Sequence, residues 1–440
     1  MQIPSTLAGL LRTAQESPQL PLMARVPDLA PMRAAAAHYL SQHGLPTKQQ
    51  EAYRFAHLQE VFQQELSLPL HHETEEEYAQ LPLLGFKMGG EASYRLQCIN
   101  GRYNAPAQKR LTRLPSGVIY GSLAQALTEE PELVLRHLGQ KTDDALDALS
   151  TLFATDGVFL YVPRGRVVEK PLQIEMVHQG PRSLLVNQRH LLILEEGAEA
   201  KCFVSEHSLS EVSFVSNALT EAQIGNRAHL SLVSLQNVHD ATTLLHRYQF
   251  HLEENASLDT HSLTLRGGFV RNDIRARLAG EHAELRLSGL ALVDQGQYAD
   301  TVTHVDHEVP NGTSSQLFKT LVDKGGEYSF FGHIHVHRDA QKTQAYQRNA
   351  NVLVEAGGVV HTRPQLLIDA DDVKCSHGAT VGHLDEEARF YMLTRGIPEK
   401  QVRQLLMRAF LQDVIGALPH PAIQEQVETL IEARLRGEKK

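Results

Sequence analysis

The sequence predicts a mainly β protein, a parallel β-helix core flanked by α-helical regions at both ends. Three observations carry this reading. From about residue 157 to 382, short runs of β-branched and aromatic residues alternate with polar ones, and helical periodicity is absent. Within that stretch a polar turn ending in a small residue recurs at a nearly even step, at Ala198, Ala228, Ala256 and Ala283. On both sides of it, amphipathic helical patterns return. A short, even repeat of this kind is the mark of a solenoid, in which each coil covers the apolar edge of the one before. A β-sandwich is the alternative, because turn-separated strands also suit it.

Three regions follow: a helical and mixed region over 1–155, the β core over 156–382 and a helical region over 383–440. In the first, Ala30 to Leu40 is rich in helix formers, and His43-Gly44-Leu45-Pro46 ends the pattern. Thr47 is placed to cap a second helix through Gln50, Tyr53 and Leu58 to about Leu66, and a further helical stretch covers Leu123 to Leu152. The core begins with the strand Val158–Val162 and continues through strands such as Leu191–Leu194 and His229–Val233. Its turns fall at Glu195–Ala198, Gly225–Ala228, Glu253–Ala256 and Gly280–Ala283, with a less regular one at Asp323–Gly326. Past Gly382, a helix from Asp385 to Arg395 is stopped by Gly396, and Pro398 opens another. Val402, Leu405, Leu406, Ala409 and Phe410 fall on one face of that helix, and Ile423, Val427, Leu430 and Ile431 mark a third. Such faces need a cover, supplied by the core or by a partner.

Composition narrows the function. A chain of 440 residues with 42% hydrophobic and 21% charged residues is a soluble globular protein rather than a disordered one. A formal charge of −10 argues against nucleic acid as the partner, since phosphate binding wants clustered Lys and Arg. Three scattered cysteines, Cys98, Cys202 and Cys375, do not make a disulfide framework, so a reducing cytoplasm is expected. The first residues lack the pattern of a secretory signal, and no apolar run approaches the ~18 residues of a membrane span. Neither a phosphate-binding Gly-x4-Gly-Lys-Ser/Thr loop, a Cys-x2-Cys pair nor a Gly-x-Ser-x-Gly elbow occurs. The chain alone is therefore expected neither to hydrolyse ATP nor to hold a stable four-thiolate cluster.

The segment Asp371 to Gly382 carries the most chemistry. If it is a strand, Cys375 and His377 lie two apart and share a face. A thiolate and an imidazole suit iron–sulfur or zinc chemistry, but two ligands need completion from elsewhere, most simply from a second chain. The structural alternative is a buried cysteine beside a hydrogen-bonded histidine. A second cluster, His333-Ile334-His335-Val336-His337, places three imidazoles on one strand face, spread over about 13 Å along a flat strand. That is too long for one ion without a bend, so it reads as a solvent-facing polar row. His304 and His307, flanking Asp306, read as surface residues.

These residues lie within a broader resemblance. Ala370-Asp-Asp-Val-Lys-Cys-Ser-His-Gly-Ala-Thr-Val-Gly382 resembles a hallmark of the SufB/SufD family of iron–sulfur cluster assembly proteins, and its SufD branch more than its SufB branch. Phe331-Gly332, Ala340 to Thr343, Gln347 to Asn351, Asp156 to Gly165 and Glu169 to Leu172 are similar to the family as well. So are Leu45 to Lys48 and Glu51 to Phe55, although Tyr53 and Phe55 stand where Trp and Tyr are expected. The resemblance implies a right-handed parallel β-helix and a non-catalytic scaffold role. It implies a SufB-like partner joined through the β-helix, and a SufC-like ATPase docked on the helices from about Asp385 to Leu435. His377 and Cys375 would hold a transient iron–sulfur cluster shared with the partner, His377 as a ligand at the interface and Cys375 at the nearby family cysteine position. No cofactor bound stably by the isolated chain, no nucleic acid and no membrane are implied. Two other readings compete. A SufB-like paralogue should carry more cysteines and an acidic residue near the histidine. A carbohydrate-active β-helix enzyme should show paired carboxylates at a cleft-like spacing, and none recur here.

Overall fold

The computed structural model describes residues 2–3, 9, 22, 26–69, 86, 92–104, 110–139 and 144–437. From residue 172 to 383 the chain passes back and forth between two sheets. The first contains Leu184–Leu194, Phe214–Ile224, Thr243–Leu252, Phe269–Leu278, Tyr298–His307, Glu327–Val336 and Val359–Ile368. The second contains Leu172–His178, Glu199–Ser208, His229–Asn237, Ser257–Arg266, Glu284–Val293, Thr313–Val322, Gln344–Leu353 and Lys374–His383. Every neighbouring pair within these two sets is parallel. This is a parallel β-solenoid of about eight turns with helices at both ends, and it excludes the sandwich of antiparallel sheets.

The recurring turn forms one edge of the stack. Gly197, Arg227, Asn255, His282, Asn311 and Lys342 all take left-handed φ values there. The N–H of Gly197, Arg227, Asn255, Asn311 and Lys342 each donates to a carbonyl in the corner of the following coil. The small residue after each of the first four, from Ala198 to Ala283, is fully buried where successive coils stack. The fifth step differs from the sequence reading. Glu284 pairs with Thr313 in the next coil, so the repeat continues at Asn311-Gly312. Asp323–Gly326 instead turns the chain at the opposite edge, where Gly296, Gly325 and Gly357 supply the positive φ. Both edges carry Gly-containing polar turns, which the sequence pattern alone does not distinguish.

Side chains alternate between the interior and the outer faces. Leu230, Leu232, Leu285, Leu287, Phe318 and Tyr328 fill the interior. The outer face of the second sheet, through Val233, Leu235, Leu263, Leu290 and Leu321, is covered by the helices Glu399–Ile415 and Pro421–Leu435. Helices Ala30–His43 and Ala145–Phe153 cover the first sheet through Leu185, Val215, Leu245 and Phe269.

That cover also buries charge. Arg189, Arg247 and Arg271 are fully buried on the outer face of the first sheet. Arg247 sits 2.6 Å from Asp144 and 2.9 Å from Asp147, at the start of helix Ala145–Phe153. Its strand partner is Asp273. Arg271 pairs with Asp300 and stacks on Tyr53, whose hydroxyl donates to Asp144 at 2.6 Å. Burial alone raises the Asp273 carboxyl, but Arg247, Arg275 and Arg271 together hold it well below the usual carboxylate range.

Two helical expectations are corrected. In place of a helix over Thr47 to Leu66 there are a 3-10 turn, Glu51–Tyr53, and one helical turn, Leu58–Val61. Tertiary contacts override local propensity, because Tyr53 is drawn into the buried charge network and Phe55 stacks on His361 at 3.9 Å. The stretch Leu123 to Leu152 is three helices, Leu123–Glu129, Pro131–His137 and Ala145–Phe153, divided at Pro131 and restarted by an Asp144 cap.

The interval from Asp156 to Gly165 opens the solenoid. Asp156 accepts hydrogen bonds from Ser122, the Ala124 N–H and the Gly157 N–H, tying the first core strand to the start of helix Leu123–Glu129. At Gly157 an added Cβ would lie 1.7 Å from the Arg189 carbonyl oxygen, so only glycine fits.

Candidate functional site at the open end of the solenoid

The two ends of the stack differ. The first coils are closed by short antiparallel strands, Arg102–Tyr103 on one sheet and Ile119–Ser122 with Thr112–Arg113 on the other. At the far end, Val359–Ile368 and Lys374–His383 are the last strands of their sheets, and no described strand pairs with their outer edges. Two ten-residue rows of backbone donors and acceptors are thus left open. Apolar side chains are exposed beside them: Leu367 and Val381 are both 47% accessible, with Ile368 and Val359 close behind. A solenoid coil with such an edge needs a cap.

Cys375 and His377 lie on the strand Lys374–His383, opposite Ala345 and Gln347 of the preceding coil. Alternation puts both on the face that lines the interior in earlier coils. Cys375 is half-buried against the core, and burial raises its thiol pKa, so it is held as a thiol. His377 is exposed and has no hydrogen-bond partner among the described residues. Beside it, a Cβ added at Gly378 would meet nothing within 4 Å. Among the described residues, then, the cysteine is only half-buried and the histidine has no hydrogen-bond partner. Two residues along a strand have Cα atoms about 6.6 Å apart and side chains on one face, and a thiol sulfur and an imidazole are soft and borderline ligands.

Behind His377 the interior is polar, which the sequence reading missed. Gln347 reaches Gln316 at 3.1 Å and Thr303 at 3.4 Å, and Asn351 donates to Asn349 at 2.6 Å and to the Thr380 carbonyl at 3.0 Å. At Gly332 an added Cβ would come within 2.3 Å of the Gln347 amide, so Phe331-Gly332 and Gln347 to Asn351 are packed as one unit. The Glu51 to Phe55 segment also reaches this end: Glu51 pairs with Arg363 of the last strand at 3.1 Å. The signal available in the sequence was the alternation of Gln347, Asn349 and Asn351, which marks a strand face.

The histidine row lies on the outer face of the first sheet, one strand from the open edge. His335 and His337 converge, with ring centroids 3.9 Å apart, because the strand ends at Val336 and His337 turns into the corner. Asp306 is the strand partner of His335 and lies 3.6 Å from a nitrogen of each ring. His333 stays apart from this group. His307 departs from the surface reading: its strand runs on to residue 307, which makes it an inward position, fully buried and 2.8 Å from Ser314. His304 is packed against Phe331 and His333.

The C-terminal helices also divide differently from the expectation. Helix Glu399–Ile415 turns Val402, Met407, Leu411, Val414 and Ile415 inward, Phe410 packs partly beneath it, and Leu405 and Ala409 are exposed. A cleft lined by Gln401, Leu405, Arg408, Glu432 and Leu435 separates this helix from Pro421–Leu435. On helix Glu386–Thr394, capped by Asp385, Phe390 and Tyr391 are 70% and 59% exposed. No helix of the described residues is long and apolar enough to cross a membrane.

Comparison with known proteins covers nearly the whole chain. A family model described as "SUF system FeS cluster assembly, SufBD core domain" matches residues 176–410, and one for the "SufBD protein N-terminal region" matches 19–174. The iron–sulfur cluster assembly protein SufD of Escherichia coli K12 is 34% identical over 68% of this chain and 72% of its own length. SufD of Bacillus subtilis is 26% identical over 73% of this chain and 74% of its length. SufB of the same organism is 24% identical over 69% and 66%.

Proposed function

Because the chain belongs to the SufB/SufD family of iron–sulfur cluster assembly proteins, we propose that it is the SufD-like subunit of a SufBCD-type complex. In this reading the open end of the solenoid joins a SufB-like partner, and a nascent cluster is built across that junction. His377 donates an imidazole lone pair to the cluster, Cys375 stands close enough to assist, and the partner supplies the remaining ligands. The cluster is cargo, passed on rather than kept. The observation that carries the reading is the meeting of His377, unpartnered among the described residues, with a coil edge that no described strand continues. Two open edge strands and their exposed apolar side chains favour continuation by another chain.

The chain itself acts as a scaffold, and ATP hydrolysis belongs to a SufC-like ATPase on the C-terminal helices. The exposed Phe390, Tyr391 and Leu405 support a docking face there, distinct from the face packed on the core. Burying side chains of this size contributes about 1.5–3 kcal/mol each. The setting is the reducing cytoplasm, where Cys98, Cys202 and Cys375 are free thiols.

Co-purification with both partners tests the two surfaces together. Val381→Asp, at an exposed edge position, should abolish binding of the SufB-like partner and spare the ATPase. The double change Phe390→Glu with Tyr391→Glu should release the ATPase and spare the SufB-like partner. Retention of the SufB-like partner by Val381→Asp would place that junction elsewhere, and retention of the ATPase by the double variant would reject the helix face.

A further inference from the structure

We propose that Asp306, His335 and His337 form a binding site for one divalent first-row transition ion, separate from the cluster site at His377. The three side chains come from two adjacent coils and a corner. Their ligand atoms, one from each residue, all lie within 4.8 Å of one another. His335 Nδ1 and His337 Nε2 each stand 3.6 Å from Asp306 Oδ1. An ion held at about 2.0–2.1 Å by tetrahedral ligands separates them by roughly 3.3–3.4 Å, so these edges need to close by only a few tenths of an ångström.

The surroundings favour an ion over a plain surface cluster. His335 Nε2 is 2.9 Å from Asp369 Oδ2, from the loop after the last strand of the first sheet. A proton on Nε2 donated to that carboxylate leaves the Nδ1 lone pair facing Asp306. This is the carboxylate–histidine–metal arrangement that fixes the tautomer of a metal-binding imidazole. Two carboxylates supply the negative charge that a divalent ion neutralises. Two nitrogens and one oxygen suit zinc, nickel, cobalt or iron(II) better than calcium or magnesium, which prefer all-oxygen sites. The three side chains are half-exposed, so at least one coordination position stays open to water or to a ligand from a partner. The ion is therefore exchangeable rather than structural. Placed one strand from the open edge, the site would hold a metal ion beside the surface where the cluster is built. That use rests on the proposed function, whereas ion binding does not.

The test is titration of the full chain with Co²⁺, followed by its visible absorption, and with Zn²⁺ by calorimetry. One equivalent should bind. His335→Ala and Asp306→Asn should each weaken binding by more than tenfold, and Asp369→Asn should weaken it by about 10–100-fold through the lost orientation of His335. His337→Ala is a second, independent removal of a ligand. All these side chains are at the surface, so the variants should melt like the parent. His377→Ala and Cys375→Ala should bind Co²⁺ unchanged, which separates this site from the cluster reading. Unaltered binding by both His335→Ala and Asp306→Asn would overturn the proposal, as would loss of binding in His377→Ala alone.

Discussion

Replacing His377 by Ala is expected to leave the complex with the SufB-like partner and the ATPase assembled while cluster formation falls by more than about tenfold, the scale on which even outer-shell changes weaken metal sites. The side chain is exposed and makes no hydrogen bond among the described residues. Its removal therefore costs the fold little. What it removes is an imidazole lone pair at the edge where both sheets end. Cys375→Ala should be milder, since that side chain is half-buried against the core while His377 is exposed. Cluster content of the purified complex and the activity of iron–sulfur enzymes in cells are the readouts. A complex of the His377→Ala chain that matures clusters at the parental rate would remove this residue from the chemistry.

The largest effect on stability is expected at Arg247. It is fully buried and is the cation for Asp144 and Asp147, with Asp273 beside it across the strand pair. Arg247→Ala leaves carboxylates buried without compensation, a change that costs about 3–5 kcal/mol. It also loosens helix Ala145–Phe153 from the first sheet, because Asp144 caps that helix. Arg286→Ala removes an exposed pair with Asp259 and should cost less than about 1 kcal/mol. Urea unfolding of the two variants compares them directly, and equal small shifts would mean that the buried network is not holding the helix in place.

The fold was legible because a solenoid repeats its physics. The small residues from Ala198 to Ala283 mark the stacked corner, and the steps between them are the strand registers themselves: Glu199 pairs with His229, His229 with Ser257 and Ser257 with Glu284. Gly396 and Asp385 fixed the ends of helix Glu386–Thr394 in the same local way. What was hidden depends on contacts between distant segments. Arg271 and Asp273 alternate with Val270, Asn272 and Ile274, a pattern that reads as a solvated strand face, yet the N-terminal segment covers them completely. The helix expected after Thr47 yields to Tyr53 reaching that same network. The candidate cluster site was visible in part: two residues on one strand face could be placed, but an open edge is a property of the last coil and leaves no local signature. Asp306 and His335 lie one coil apart, so their pairing follows from the register; the bend that brings in His337 does not.

The central claim is that this open end is where a SufB-like partner completes the cluster site. Amide hydrogen exchange on the two terminal strands, Val359–Ile368 and Lys374–His383, measured alone and after mixing with that partner, addresses it most directly. In the free chain the outward amides of both strands should exchange fast, and in the complex they should become strongly protected as the partner continues the sheets. The corners at 225–228 and 253–256 should be unchanged. If the complex forms and both terminal strands exchange as they do in the free chain, the junction lies elsewhere and His377 is not at it.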